Sequence, residues 1–163
     1  MSIKSLSVRV LTLLIFASAP ALLAATTPPL VGSWEFTVAP AAAATLAAAL
    51  PLEGLATFTS DGTVVETDTG ELVTLASPGH GIWQNGPIPP PVGYQYVKFT
   101  SLIPNANGTL HSKRIVTMLI TVNSAGTQFT GSWEYEVVNP KGTVLSTGSA
   151  TVTGELMVHP LLP

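Results

Sequence analysis

Four glycine-threonine turns do most to decide what this chain can fold into: Asp61-Gly62-Thr63, Asn107-Gly108-Thr109, Ala125-Gly126-Thr127 and Lys141-Gly142-Thr143. Glycine supplies the positive φ of a tight hairpin, and the β-branched threonine restarts an extended chain. Between the turns the residues alternate. Over 129–137 the odd positions Phe129, Gly131, Trp133, Tyr135 and Val137 are apolar, aromatic or small, and the even positions Thr130, Ser132, Glu134 and Glu136 are polar. That is the period-2 signature of a half-buried strand. The segment 114–122 is apolar on both faces for part of its length, so part of its outer face is expected to be covered. The threonine- and serine-rich stretch 142–157 carries Gly148 and Gly154, as suits a strand that bends at a barrel corner.

These patterns predict strands at 31–38, 54–60, 62–68, 71–76, 80–85, 94–103, 109–122, 127–138 and 143–157, eight or nine depending on whether 71–76 is one of them. Sequential hairpins without a crossover predict an all-β fold, a single antiparallel up-and-down barrel that leaves no exposed edge.

The amino end has the three-part layout of a secretory signal. Lys4 and Arg9 form a positive region, 10–17 is a short apolar run, and small residues end at Ala24 and Ala25. The run falls short of the roughly 20 apolar residues a membrane span needs, so no stable membrane anchor is expected. The reading is a cleaved segment 1–25 and one mature domain 26–163, exported to the periplasm or beyond the cell. There is no cysteine, so neither a disulfide framework nor a lipid-carrying cysteine supports the fold. Two of the six basic residues fall in the leader, leaving four against nine acids in the mature part, which argues against a nucleic-acid partner.

Two stretches depart from the pattern. The alanine-rich, proline-flanked 40–50 predicts a short helix after the first strand. The proline-rich 86–93 predicts a stiff extended connector, since proline fixes φ and lacks a donor. One echo joins distant parts of the chain: Gly32-Ser33-Trp34-Glu35-Phe36 matches Gly131-Ser132-Trp133-Glu134-Tyr135. It does not extend to neighbouring strands, so it marks similar packing and not a duplication.

Gly32-x-Trp34 on the first strand resembles the opening signature of lipocalins and their calycin relatives. Together with segments 32–36, 56–68, 77–83, 129–131 and 151–157, it makes the mature chain similar to a group of bacterial calycin-like barrel proteins. The resemblance implies a barrel able to hold a ligand more than it implies any activity. In that family the last strand carries Gly-x-Arg, with the arginine set against the first-strand tryptophan. Here Gly154 is followed by Glu155 and Leu156.

No motif carries chemistry outright. His80, His111 and His159 stand apart, with no cysteine to join them, so no metal site or cofactor is expected, and there is no nucleophile elbow or phosphate loop. His80, between Gly79 and Gly81, is the polar residue best placed for acid-base work in a barrel mouth. An inward Arg114 would anchor an anionic group in an apolar lumen. The residues expected to line a ligand are Trp34, Phe36, Phe58, Glu66, His80, Trp83, Tyr96, Arg114, Trp133 and Tyr135. Most of the aromatic ones serve equally as core. The leading expectation is a non-catalytic exported barrel binding a small apolar or amphipathic molecule in its lumen. The alternatives are a lumen isomerase, cyclase or lyase using His80 or Glu66, and a filled barrel acting through its outer surface.

Overall fold

A computed structural model describes residues 30–40, 51–86 and 94–158. Eight antiparallel strands close into a barrel in sequence order: β1 (Gly32–Pro40), β2 (Leu52–Phe58), β3 (Thr63–Asp68), β4 (Gly79–Asn85), β5 (Gln95–Pro104), β6 (Leu110–Val122), β7 (Gln128–Val138) and β8 (Val144–Leu156). β8 pairs back onto β1, with Trp34 opposite Leu156 and Pro40 opposite Ala150. The up-and-down barrel expected from the hairpin spacing is therefore the fold.

All four glycine-threonine turns join adjacent strands, and their glycines adopt φ of 87° (Gly62), 83° (Gly108), 71° (Gly126) and 83° (Gly142). Each glycine N–H donates to a carbonyl three residues back, on Thr59, Asn105, Asn123 or Asn139. This is a type I turn followed by a left-handed residue, a standard three-to-five-residue hairpin connection.

The segment 71–76 is not a strand. The chain instead forms a short helix, α1 (Thr69–Thr74), between β3 and β4. Asp68 caps it by accepting from the Glu71 N–H at 3.1 Å, and Leu75 ends it in the left-handed region at φ 56°. The short helix thus follows the third strand, whereas the sequence placed one after the first. That alanine-rich stretch lies outside the described residues apart from Pro40, which ends β1; most of the proline-rich connector, 87–93, lies outside them too.

Aromatic rings fill the middle of the barrel. Trp34 packs tilted against Phe129 with ring centroids 5.2 Å apart, while the Trp133 centroid lies 5.8 Å from that of Phe36 and 5.5 Å from that of Phe99. Such pairs contribute about 0.5–1.5 kcal/mol each beyond the area they bury. Glycines make the room: Phe36 lies between Gly54 on β2 and Gly154 on β8, and a Cβ at either glycine would meet the Phe36 or Phe129 ring. The sequence echo has its reason here, because β1 and β7 both flank β8 and meet its glycines and alanine.

The two ends of the barrel differ. At the end where β1 begins, Leu30 is fully buried and its carbonyl accepts from the Trp34 indole N–H at 2.8 Å. Leu156 stands opposite Trp34, and Glu155, the residue set at the place of the family arginine by the resemblance, faces outward, accepting from Gln128 at 3.1 Å. The other end carries α1 and the barrel's buried charges.

Candidate functional site

At the α1 end the inward face turns from apolar to polar. Strand β3 alternates Val64, Glu66 and Asp68 inward with Thr63, Val65 and Thr67 outward. Across the barrel, β6 runs Ser112, Arg114, Val116 and Met118 on its inner face, and β5 adds Ser101. The first turn of α1 brings in Glu71.

These groups meet at one guanidinium. Arg114 Nη1 lies 3.0 Å from Asp68 Oδ2, and Nη2 lies 3.6 Å from Glu71 Oε1 and 3.9 Å from Glu66 Oε2. Nη2 also donates to Ser101 Oγ at 3.3 Å. Glu71 Oε2 accepts a hydrogen bond from the Thr67 hydroxyl at 2.6 Å. Glu66 is 2% exposed, and neither of its carboxyl oxygens accepts a hydrogen bond from a described group.

Charge follows from that geometry. Burial, reinforced by the Asp68 carboxylate and only partly opposed by Arg114, pushes the Glu66 carboxyl up to about 9. Glu66 is thus neutral at physiological pH, and its proton can bond to Asp68. Burial also raises Glu71, against the stabilising hydrogen bond from Thr67. With Glu66 neutral, Asp68 and Glu71 still face the single guanidinium of Arg114. An anion brought to Arg114 would meet those acids, so the cluster favours a positive group or a proton.

Asp68 and Glu71 also line an open groove of about 660 Å³ between α1 and the outer face of β1 and β2. Glu35 and Glu53 stand along it as well, and among the described residues that line it there is no lysine or arginine; the Asp68 side chain itself is fully buried and turns into the barrel. The remaining wall is largely apolar, with Leu55, Leu75 and Pro78. Among the described residues, no group of three or more histidine, cysteine, aspartate or glutamate side chains is arranged to hold a metal ion.

The residues expected to line a ligand separate into three sets. Glu66 and Arg114 come together in the cluster. Trp34, Phe36, Phe58, Trp83, Trp133 and Tyr135 belong to the packed interior, with Trp83 donating to the Thr59 carbonyl at 2.8 Å and Tyr135 lying over Gly148. His80 is exposed on the outer face, opposite Val65 and Thr100, and Tyr96 lies outward between Gln84 and Leu119. Sequence reasoning missed Asp68, Glu71 and Ser101. The parity of Asp68 with Glu66 was readable, but Glu71 needed the helix that 71–76 conceals.

Comparison with family models, with curated proteins and with solved structures found no match.

Proposed function

We propose that the protein is an exported, non-catalytic barrel that binds a small amphipathic cation at its α1 end. One observation carries the reading: a groove with an apolar wall is lined by Glu35, Glu53 and Glu71, directly in front of three acids that share a single guanidinium. Such a site suits a positive head group near Glu35, Glu53 and Glu71, with an apolar portion against Leu55 and Leu75. The packed aromatic middle of the barrel is the reason to place the ligand at this mouth and not deep in the lumen. Export rests on the leader-like 1–25, and kinship with calycin-like proteins on Gly32-x-Trp34 in the first strand of an eight-stranded meander.

The test is calorimetric titration of the mature protein with decyltrimethylammonium and with decanoate, both below their micelle concentrations. The quaternary amine binds and the carboxylate does not; equal binding of both, or of decanoate alone, refutes the reading. Sequencing the amino terminus of protein recovered from the periplasm or medium tests export, with a start near Thr26 expected.

A proton-transfer enzyme is the second reading, favoured by Glu66 being held protonated at neutral pH. It requires a substrate atom to reach a carboxyl that is almost wholly buried.

A further inference from the structure

We propose that the protein pairs with a second copy of itself through the outer face of β6, β7 and β8, about a two-fold axis along the line from Ile115 to Val138. This face is built on other strands than the groove, which runs against β1 and β2. The pairing therefore stands whether or not the groove takes a cation.

The register of β6 on β7 sets up the face. Lys113 stands opposite Val138, and Ile115 stands opposite Glu136. With Ser112, Val116 and Trp133 buried on the inner side, alternation turns all four outward. The result is a checkerboard: the diagonal from Ile115 to Val138 is apolar, and the other diagonal carries one positive and one negative charge. Among the described residues Lys113 and Glu136 form no ion pair, with each other or with any other group. More apolar surface frames the quartet. Leu102, opposite Lys113 on β5, is 47% exposed. A bulge in the β7–β8 pairing leaves Leu145 without a partner in the ladder and 52% exposed.

Such a quartet is complementary to itself under one rotation. Turning a copy over about the apolar diagonal lays Ile115 on Ile115 and Val138 on Val138. The same turn exchanges the charged corners, so Lys113 of each chain meets Glu136 of the other, as an isologous contact requires. The surface also offers the lysine a seat. Beside Glu136 the outer face dips into a depression of about 300 Å³, lined by Glu134, Glu136 and Thr147. Exposed ion pairs contribute little each, and the apolar area is small, so the dimer is reversible and not obligate.

Sedimentation velocity of the mature protein, from low micromolar to near-millimolar concentration, reads the pairing. The expected result is a monomer–dimer equilibrium that stops at two chains. Lys113→Glu and Glu136→Lys each set like charges face to face twice, and each should weaken the dimer about tenfold or more. Both side chains belong to exposed residues, so the far-ultraviolet circular dichroism of either variant should match the wild type. Mixing the two single variants is the decisive arm. In the mixed pair every contact again joins opposite charges, so the mixture dimerises where neither variant does alone. Leu145→Ser, which removes apolar surface and no charge, should weaken the wild-type dimer as well. A monomer at every concentration, the result expected if this face serves a different protein, overturns the proposal. Assembly beyond two chains, a dimer that both charge reversals leave intact, or a mixture that fails to recover the lost pairing overturns it equally.

Discussion

Arg114 on β6 reaches across the end of the barrel to place Nη1 3.0 Å from Asp68 Oδ2 on β3, joining two strands that are not neighbours in the sheet. The Asp68 side chain is fully buried and that of Arg114 is 13% exposed. Around this pair Glu66 and Glu71 complete a cluster in which acid outnumbers base.

Removing the guanidinium leaves Asp68 and Glu71 beside the protonated Glu66 with no counter-charge in the barrel end. Arg114→Met should therefore destabilise the fold by about 3–5 kcal/mol at pH 8, the cost of breaking a buried pair from one side. Protonation of the acids relieves that cost, so the loss should shrink near pH 4.5. Urea unfolding at the two pH values checks this, and a loss independent of pH would contradict it.

Glu66 gives the wild type a pH dependence of definite sign. Its folded carboxyl titrates at about 9 against an ordinary value of 4.5, so between these values the folded state holds a proton that the unfolded state has released. Stability from this group is complete below the unfolded value and declines as the pH climbs toward the folded one. Glu71, also raised, acts in the same direction. Thermal unfolding should show Tm falling between pH 5 and pH 9, with a shallower slope in Glu66→Gln.

The middle of the barrel should tolerate no added bulk where strands press together. A Cβ on Gly131 would meet the Leu119 carbonyl and the Ile120 backbone. Gly131→Ala should cost about 1–3 kcal/mol through overpacking, read from chemical denaturation. Gly142→Ala has open space around its Cβ, but its φ of 83° opposes any side chain. The two variants therefore separate crowding from backbone strain.

Trp34→Phe keeps the ring against Phe129 but deletes the donor to the buried Leu30 carbonyl. The orphaned acceptor should cost about 1–3 kcal/mol, again by denaturation. Burial of Leu30 against Trp34 should persist only in the wild type, as judged by protection of this end from proteolysis.

The fold was legible in the sequence because its instructions are local. Gly62, Gly108, Gly126 and Gly142 each mark a hairpin, and the alternation around Trp133 names the inner face without reference to any distant residue. The cluster was legible only in halves. Glu66 and Arg114 each sat on a recognisable inward parity, yet nothing local says that β3 and β6 meet across the lumen. Glu71 was hidden further, since 69–74 forms a helix held by the Asp68 cap and the left-handed Leu75, a tertiary choice that apolar alternation does not report. His80 shows the converse: flanking glycines drew notice to it, but those glycines make room for Phe99, and the histidine points to solvent.

The central claim is that positive charge is taken up at the α1 end and not within the aromatic interior. Amide and side-chain chemical-shift mapping of isotopically labelled protein, titrated with decyltrimethylammonium, tests it most directly. The account predicts saturable shifts at Gly54, Leu55, Asp68, Glu71 and Leu75, with Trp34, Phe36 and Trp133 unmoved. Shifts centred on those interior aromatics, or none at any concentration below micelle formation, would contradict it.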